Sequence, residues 1–368
     1  MSALFSPFSL RSVTLPNRIA MSPMCQYMAT DGIAAPWHLV HLGARAVGGA
    51  GLIIAEATAV EPRGRLTPGC LGLWSQAHAE ALRPVTDFIK SQGSVPGIQL
   101  AHSGRKGARD RPWEGNGPLP ADRTWELVAP SAIPFGTYQT PRAMTEEDCD
   151  TVVAAFVNAA ENARRAGFTF LTMHFAHGYL LHSFLSPLSN LRTDRYGGDA
   201  ERRAAFPLRV AAAVRAAWPD DLPLGVRLSF EDWAEGGFGP DDAIAVARSM
   251  REVGIDLVEC SSAGLVPNEH WDAHPGYQVE FSRRARREAQ IATGAVGVII
   301  DAHQAEGVIA NGDADIVILA RAMLDDPHWA LHAAEALGEN ARWPQPYGRG
   351  VARLRGFQAM LKDGAVEA

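Results

Sequence analysis

Two imidazoles and a phenol fall in one short stretch of this chain, in the pattern His174-x-x-His177-x-Tyr179. Paired N–H donors can hold an oxygen on which negative charge builds, and a phenol can deliver a proton. Other groups able to do chemistry are scattered: Cys25 and Tyr27 in Ser22-Pro23-Met24-Cys25-Gln26-Tyr27, then Gln99, His102, Arg227 and Arg321. Each has a plainer reading. Histidines spaced i, i+3 can bind a metal, although no carboxylate or thiolate at a matching spacing accompanies this pair. A lone cysteine is more often a small buried hydrophobe than a reactive thiol. His38 and His41 repeat the same spacing on a helical segment, where a structural role is favoured. Arg227 could be a structural ion pair, although an arginine inside an apolar strand needs an anionic partner.

These residues gain meaning from the elements that carry them. Short apolar runs recur at Arg18–Met21, Gly51–Ala57, Gly97–Ala101, Phe168–His174, Leu224–Leu228, Asp256–Cys260, Val296–Ile300 and Asp315–Ala320. Helical periodicity separates most of them, as in Thr145–Arg165 and Pro240–Glu252. Thr145 followed by Asp148 has the form of a capping box. Strands flanked by crossover helices are covered on both faces, and eight of them fit an α/β fold, a single (β/α)8 TIM barrel. An open doubly wound sheet would want a GxGxxG turn after its first strand, and none is present. Barrel sites lie at the carboxyl ends of the strands, where all of these polar residues fall. Residues 103–142, after strand three, are rich in Gly, Pro, Arg and Trp and lack helical period, which predicts a lid. The chain is irregular from Pro344, so the barrel is expected over residues 1–350 and a tail over 351–368.

Composition narrows the partners. The chain has 368 residues, 47% hydrophobic and 20% charged, with a net charge of −7 and no basic stripe. Nucleic acid and anionic membranes are poor partners for such a surface. Four widely spaced cysteines and no CxxC argue against a zinc ribbon, an iron–sulfur cluster or a disulfide framework. The N-terminus lacks a basic start followed by a long apolar run, and no stretch is long enough to span a bilayer, so the expected location is cytoplasmic.

The sequence resembles the Old Yellow Enzyme family, in particular its thermophilic-like class that includes the xenobiotic reductases. The resemblance runs from Leu4-Phe5 to about Arg349 and rests on three segments: Asn17 to Tyr27, Gly97 to Lys106, and above all His174 to Asn190 followed by Arg192-Thr-Asp-Arg-Tyr-Gly-Gly198. It implies a barrel holding FMN tightly but without a covalent bond. Ser22, Pro23, Met24 and Cys25 would lie along the flavin, with Ala57 and Gln99 as further contacts and Arg227 at its N1/O2 edge. His174 and His177 would hold the substrate's electron-withdrawing oxygen, Tyr179 would protonate the α-carbon, and Tyr27 would touch substrate. Arg321, with Ala320 and Ala302, would meet the phosphate, although the family usually has Gly where this chain has Ala302 and Ala320. Arg349 would reach a neighbouring subunit's site in a homo-oligomer, a dimer or tetramer.

The activity implied is a ping-pong ene-reductase. NADPH, or NADH, supplies the electrons, and an α,β-unsaturated carbonyl or a nitro compound receives them. Relatives that carry iron–sulfur clusters need cysteine spacings and a length absent here. A non-catalytic barrel that only binds a partner would have no use for Tyr179, the paired histidines and Arg227.

Overall fold

A computed structural model describes residues 2–362. Eight parallel strands close into one barrel: β1 (Ile19–Met21), β2 (Leu52–Ala59), β3 (Val95–Ala101), β4 (Phe170–Phe175), β5 (Leu224–Ser229), β6 (Leu257–Ser261), β7 (Ala292–Ala295) and β8 (Ile316–Leu319). Each strand pairs with its sequence neighbours, and β8 returns to β1 through Val317↔Ile19 and Leu319↔Met21. Helices cross over between them: α1 (Pro36–Val47), α2 (Gln76–Ser91), α3 (Glu146–Arg165), α4 (Ala200–Ala217), α5 (Pro240–Glu252), α6 (Val279–Arg284) and α7 (Ala302–Ala310). α8 (Trp329–Ala336) comes after β8. An antiparallel hairpin, Phe8–Leu10 with Val13–Leu15, precedes the barrel, and its Phe8, Leu10 and Val13 pack against the core of the barrel's interior.

The period-two alternation of the strands builds the site. Odd and even residues point to opposite faces. Ile19, Met21, Ile53, Leu171, Met173, Val258, Val317 and Leu319 belong to the large core beneath the helices. Ala20, Leu52, Ile54, Phe170, Leu257, Ile316 and Ile318 form a separate apolar cluster inside the barrel. Continuing the inward row of each strand leads from this floor to polar residues: Phe170, Thr172, His174 on β4; Gly225, Arg227, Ser229 on β5; Leu257, Glu259, Ser261 on β6; Gly97, Gln99 on β3. The floor supplies stability and the upper rows supply chemistry.

One strand departs from this rule. On β2 the pairing passes from Ala55↔Ile98 directly to Ala57↔Gln99, so Glu56 is an extra, bulged residue. A bulge reverses the parity of the residues beyond it. Without it Glu56 would face the barrel; with it Ala57 borders the interior and Glu56 turns aside. There its carboxylate accepts the Gln26 backbone N–H at 3.0 Å and meets His38 Nε2 at 3.2 Å. His38 Nδ1 accepts the Ala35 N–H, which leaves Nε2 to carry the proton toward Glu56. His41 lies against Arg45, which anchors α1 to the Met323 carbonyl. Both histidines therefore hold the fold together.

Three expectations need correction. The seventh strand is Ala292–Ala295, not Val296–Ile300. Its small residues are required by its neighbour, because a Cβ on Gly294 would lie 2.4 Å from Ile318 Cδ1. The more apolar run beyond it is a loop, turned by Gly297 at φ +103 and Val298 at φ +53. The stretch after Pro344 is not irregular, since α9 spans Gln345–Lys362; the tail residues 363–368 lie outside the described residues. Ala302 is a buried first residue of α7 and does not border the main cavity. The Asp301 side chain caps that helix by accepting the Gln304 N–H, and its negative charge at the N-terminus disfavours a phosphate there.

The expected reciprocal cap at Thr145 is present, with Asp148 N–H donating to Thr145 Oγ1 and Thr145 N–H to the Asp148 carboxylate. Residues 103–142 contain only two short 3₁₀ turns and the strand Val128–Ala129, which pairs with Arg142–Ala143. No helix among the described residues is long and apolar enough to cross a membrane.

Candidate active site

His174 ends the inward row of β4. Its Nδ1 accepts the Ala176 N–H at 3.2 Å, so the ring proton sits on Nε2, free to be donated. Burial, reinforced by the neighbouring Arg227 charge, holds both His174 and His177 well below the ordinary histidine range. The two are neutral donors rather than imidazolium ions. Their rings meet edge to face at 5.0 Å, and His174 meets Tyr179 in the same way at 4.8 Å. The three residues anticipated from one sequence stretch thus form one cluster.

The turn that presents them is strained and heavily tied. His177 adopts φ +58, and its N–H donates to Ser229 Oγ while its Nε2 pairs with Ser261 Oγ at 2.8 Å. Gly178 comes next at φ +71, where a Cβ would lie 2.2 Å from the Gly264 carbonyl oxygen. Its N–H donates to His182 Nδ1 at 2.8 Å, and His182 Nε2 in turn meets Asp232 at 3.0 Å, both groups fully buried. From the lid, Lys106 Nζ donates to the His177 carbonyl at 2.9 Å and to the Gly264 carbonyl at 2.6 Å. Rarely populated backbone held by this many contacts is a common property of sites that must be preorganised.

Tyr179 stands as N-cap of the helical turn Leu180–Leu185. Burial and the nearby Cys25 thiol push its phenol up from the ordinary value, with Arg109 opposing, so it stays protonated. Tyr27 is held at φ +55 by a lid contact from Arg111 Nε to its carbonyl at 3.0 Å, and burial raises its phenol too. Cys25 is half-buried, bonded to the Ala57 backbone, and its thiol is pushed well up by burial, which keeps it a neutral thiol. Sequence alone also offered His102, but it turns away to Glu61 at 2.9 Å.

A cavity of about 330 Å³ opens at this end of the barrel, bordered by Ser22, His177, Arg227, Ser261, Ala320 and Arg321 and by the loop Val296–Ile300. Arg227 Nε and Trp271 Nε1 in its lining are buried without partners, and so is Gln99 Nε2 in the inward row of β3. Arg227 Nη1 donates to Ser22 Oγ, and the exposed Arg321 side chain has no bonded partner among the described residues. Such orphaned donors are costly unless a ligand meets them. A planar heterocycle rich in carbonyl oxygens would satisfy Gln99 and Arg227, and a phosphate would suit Arg321 and the Gly297 loop. A side chain at Gly297 would strike Gln278 at 2.9 Å, so this loop depends on glycine. Ala320, where glycine was anticipated, keeps a negative φ of −106. Sequence reading missed Ser229, Ser261, Lys106 as a tie, and Glu259. The serines end strands β5 and β6, which was the available signal.

This arrangement defines a (β/α)8 oxidoreductase barrel built around a phosphorylated, planar redox cofactor. The family model for "NADH:flavin oxidoreductase / NADH oxidase family" matches residues 3–340. An NADPH dehydrogenase of Geobacillus sp. (strain WCH70) is 45% identical over 350 residues, covering 94% of this chain and 98% of that protein. One from Bacillus subtilis (strain 168) is 44% identical over 352 residues, with coverage of 94% and 98%. Among solved structures, morphinone reductase superposes with a TM-score of 0.77 at 27% identity, covering 94% of this chain and 92% of that one. The chain belongs to the NADH:flavin oxidoreductase / NADH oxidase family, the Old Yellow Enzyme type its motifs resemble, and is an enzyme that uses FMN.

Proposed function

We propose that this enzyme takes electrons from NADPH and uses them to reduce the C=C bond of small alkenes activated by a carbonyl or nitro group. Bound FMN supplies the hydride. Gln99, Arg227 and Ser22 would hold its ring, Cys25 and Ala57 would border it, and Arg321, Ala320 and the Gly297 loop would receive its phosphate. His174 Nε2 holds the activating oxygen with a neutral donor. A neutral donor suits a group on which charge grows during reaction, because its hydrogen bond strengthens as that charge builds. His177 shares the oxygen through the ring that Ser261 fixes. Tyr179, kept protonated, delivers the proton to the α-carbon, and Tyr27 lines the substrate's path.

The observation that carries this reading is the His174–His177–Tyr179 cluster together with the unpartnered Gln99 Nε2 and Arg227 Nε. Names of relatives agree with it, as NADPH dehydrogenases and a morphinone reductase. Arg349, exposed on α9, is proposed to complete the site of a neighbouring copy in a homo-oligomer. Product analysis tests the activity: holoenzyme with NADPH should convert 2-cyclohexenone into cyclohexanone. NADPH oxidation through oxygen or quinones, with the enone untouched, would refute it.

A further inference from the structure

The lid carries more positive charge than it neutralises. Arg111 and Arg142 pair with carboxylates, Arg111 with Glu114 and Arg142 with Glu126 and Asp148. Arg105 and Lys106 spend their protons on backbone carbonyls, those of Ile133 and Leu265 for Arg105 and those of His177 and Gly264 for Lys106. Arg109 differs from all of these. Its Nη1 donates to the Tyr138 hydroxyl at 2.9 Å, its Nε is buried without a partner, and no carboxylate lies within ion-pair reach among the described residues. Ala108 before it is buried at φ +53, and Arg109 itself is half-buried. The charge bears on Tyr179, Tyr27 and Cys25, the groups on the reacting side of the site. A half-buried guanidinium with spare donors and no counter-ion suits an anionic oxygen brought by a ligand.

We infer that Arg109 is a specificity-determining residue that binds a carboxylate on the alkene substrate, so the preferred substrate is an unsaturated carbonyl compound bearing a second, anionic end. This rests on the alkene-reductase reading. The carboxylate faces Arg109 beneath the lid while the activating oxygen lies on His174 and His177. A phosphate of the nicotinamide dinucleotide offers similar chemistry. Arg109 nevertheless neighbours the proton donor, which places the anion close to the reacting carbons and favours a short substrate.

The test uses FMN-loaded enzyme reduced anaerobically and reoxidised by trans-4-oxo-2-butenoate or by its methyl ester. The ratio of the two kcat/KM values, compared between wild type, Arg109→Met and Arg109→Lys, cancels the intrinsic reactivities. Arg109→Met should lower the acid-to-ester ratio by about tenfold or more, the scale of one charge-assisted hydrogen bond, with part of it restored in Arg109→Lys. Equal loss for acid and ester would overturn the proposal and leave Arg109 as support for Tyr179. An unchanged ratio, with reduction by NADPH slowed relative to NADH, would also overturn it and assign the charge to the dinucleotide. Binding of 4-oxopentanoate and its methyl ester to oxidised enzyme, read from the flavin spectrum, does not depend on turnover. Preference for the acid that vanishes in Arg109→Met supports the anion seat even if neither alkene is reduced, in which case only the alkene-reductase reading fails. Absence of that preference in wild type overturns the seat.

Discussion

His174 illustrates how one backbone contact decides chemistry. The Ala176 N–H occupies Nδ1, Nε2 therefore carries the proton, and burial beside Arg227 keeps a second proton off. The rate of the oxidative half-reaction should consequently show no inflection at the ordinary histidine pKa of about 6.5. A titration there, measured by stopped-flow across pH 5.5–8 (roughly the span on either side of that value), would show that an imidazolium takes part. Lys106 gives a second residue-scale expectation. Burial lowers its pKa to about 7, against the pull of Glu269 and with the help of Arg109 and Arg105. The folded chain thus binds this proton less tightly than the unfolded chain does. Between about pH 7 and the usual lysine value of about 10.4 the unfolded state holds more protons, so stability rises with pH across that window. Below it both states are protonated and the cost is constant. Lys106→Met should flatten this rise, seen as a melting temperature that climbs less from pH 7 to about 10 than in wild type. The grouping of His174 and Tyr179 was legible in sequence because both lie at or just past the end of one apolar strand, whereas the roles proposed for them rest on the family resemblance. The Lys106 tie was not, since its partners are carbonyls of His177 and Gly264, which any sequence possesses.

Elements show the same division. Strands β1 to β6 and β8 match the apolar runs because inward and outward rows are both buried, leaving continuous hydrophobic stretches. β7 escaped because its packing demands small residues beside Ile318, while the β-branched run next to it must turn at Gly297. The β2 bulge was equally hidden: alternation gives no sign that Glu56 is skipped until the partner strand is known. Phe170 fills the floor of the barrel, where a Cβ added at either Gly97 or Gly225 would lie 3.1 Å from its ring. Phe170→Ala should cost about 3–5 kcal/mol, measured by urea unfolding. A loss under about 1 kcal/mol would mean that the floor refills and is not a fixed support.

At the scale of the whole molecule, unpaired Gln99, Arg227 and Trp271 groups make the cofactor part of the folded state's energetics. FMN at a thousandfold its Kd should stabilise the protein by about 4 kcal/mol, visible as a higher melting temperature for holoenzyme than for apoenzyme. Equal melting temperatures would mean that these donors are satisfied otherwise. The barrel itself was readable from the rhythm of strands and helices, whereas α9 was obscured by its glycines and proline, Pro346, Gly348, Gly350 and Gly356. The proposed alkene reduction rests most on one proton. Enzyme reduced by NADPH should be reoxidised by 2-cyclohexenone about 100-fold or more slowly in Tyr179→Phe than in wild type, with reduction by NADPH nearly unaltered. Enone reoxidation at the wild-type rate in Tyr179→Phe would contradict the assignment of Tyr179 as the acid.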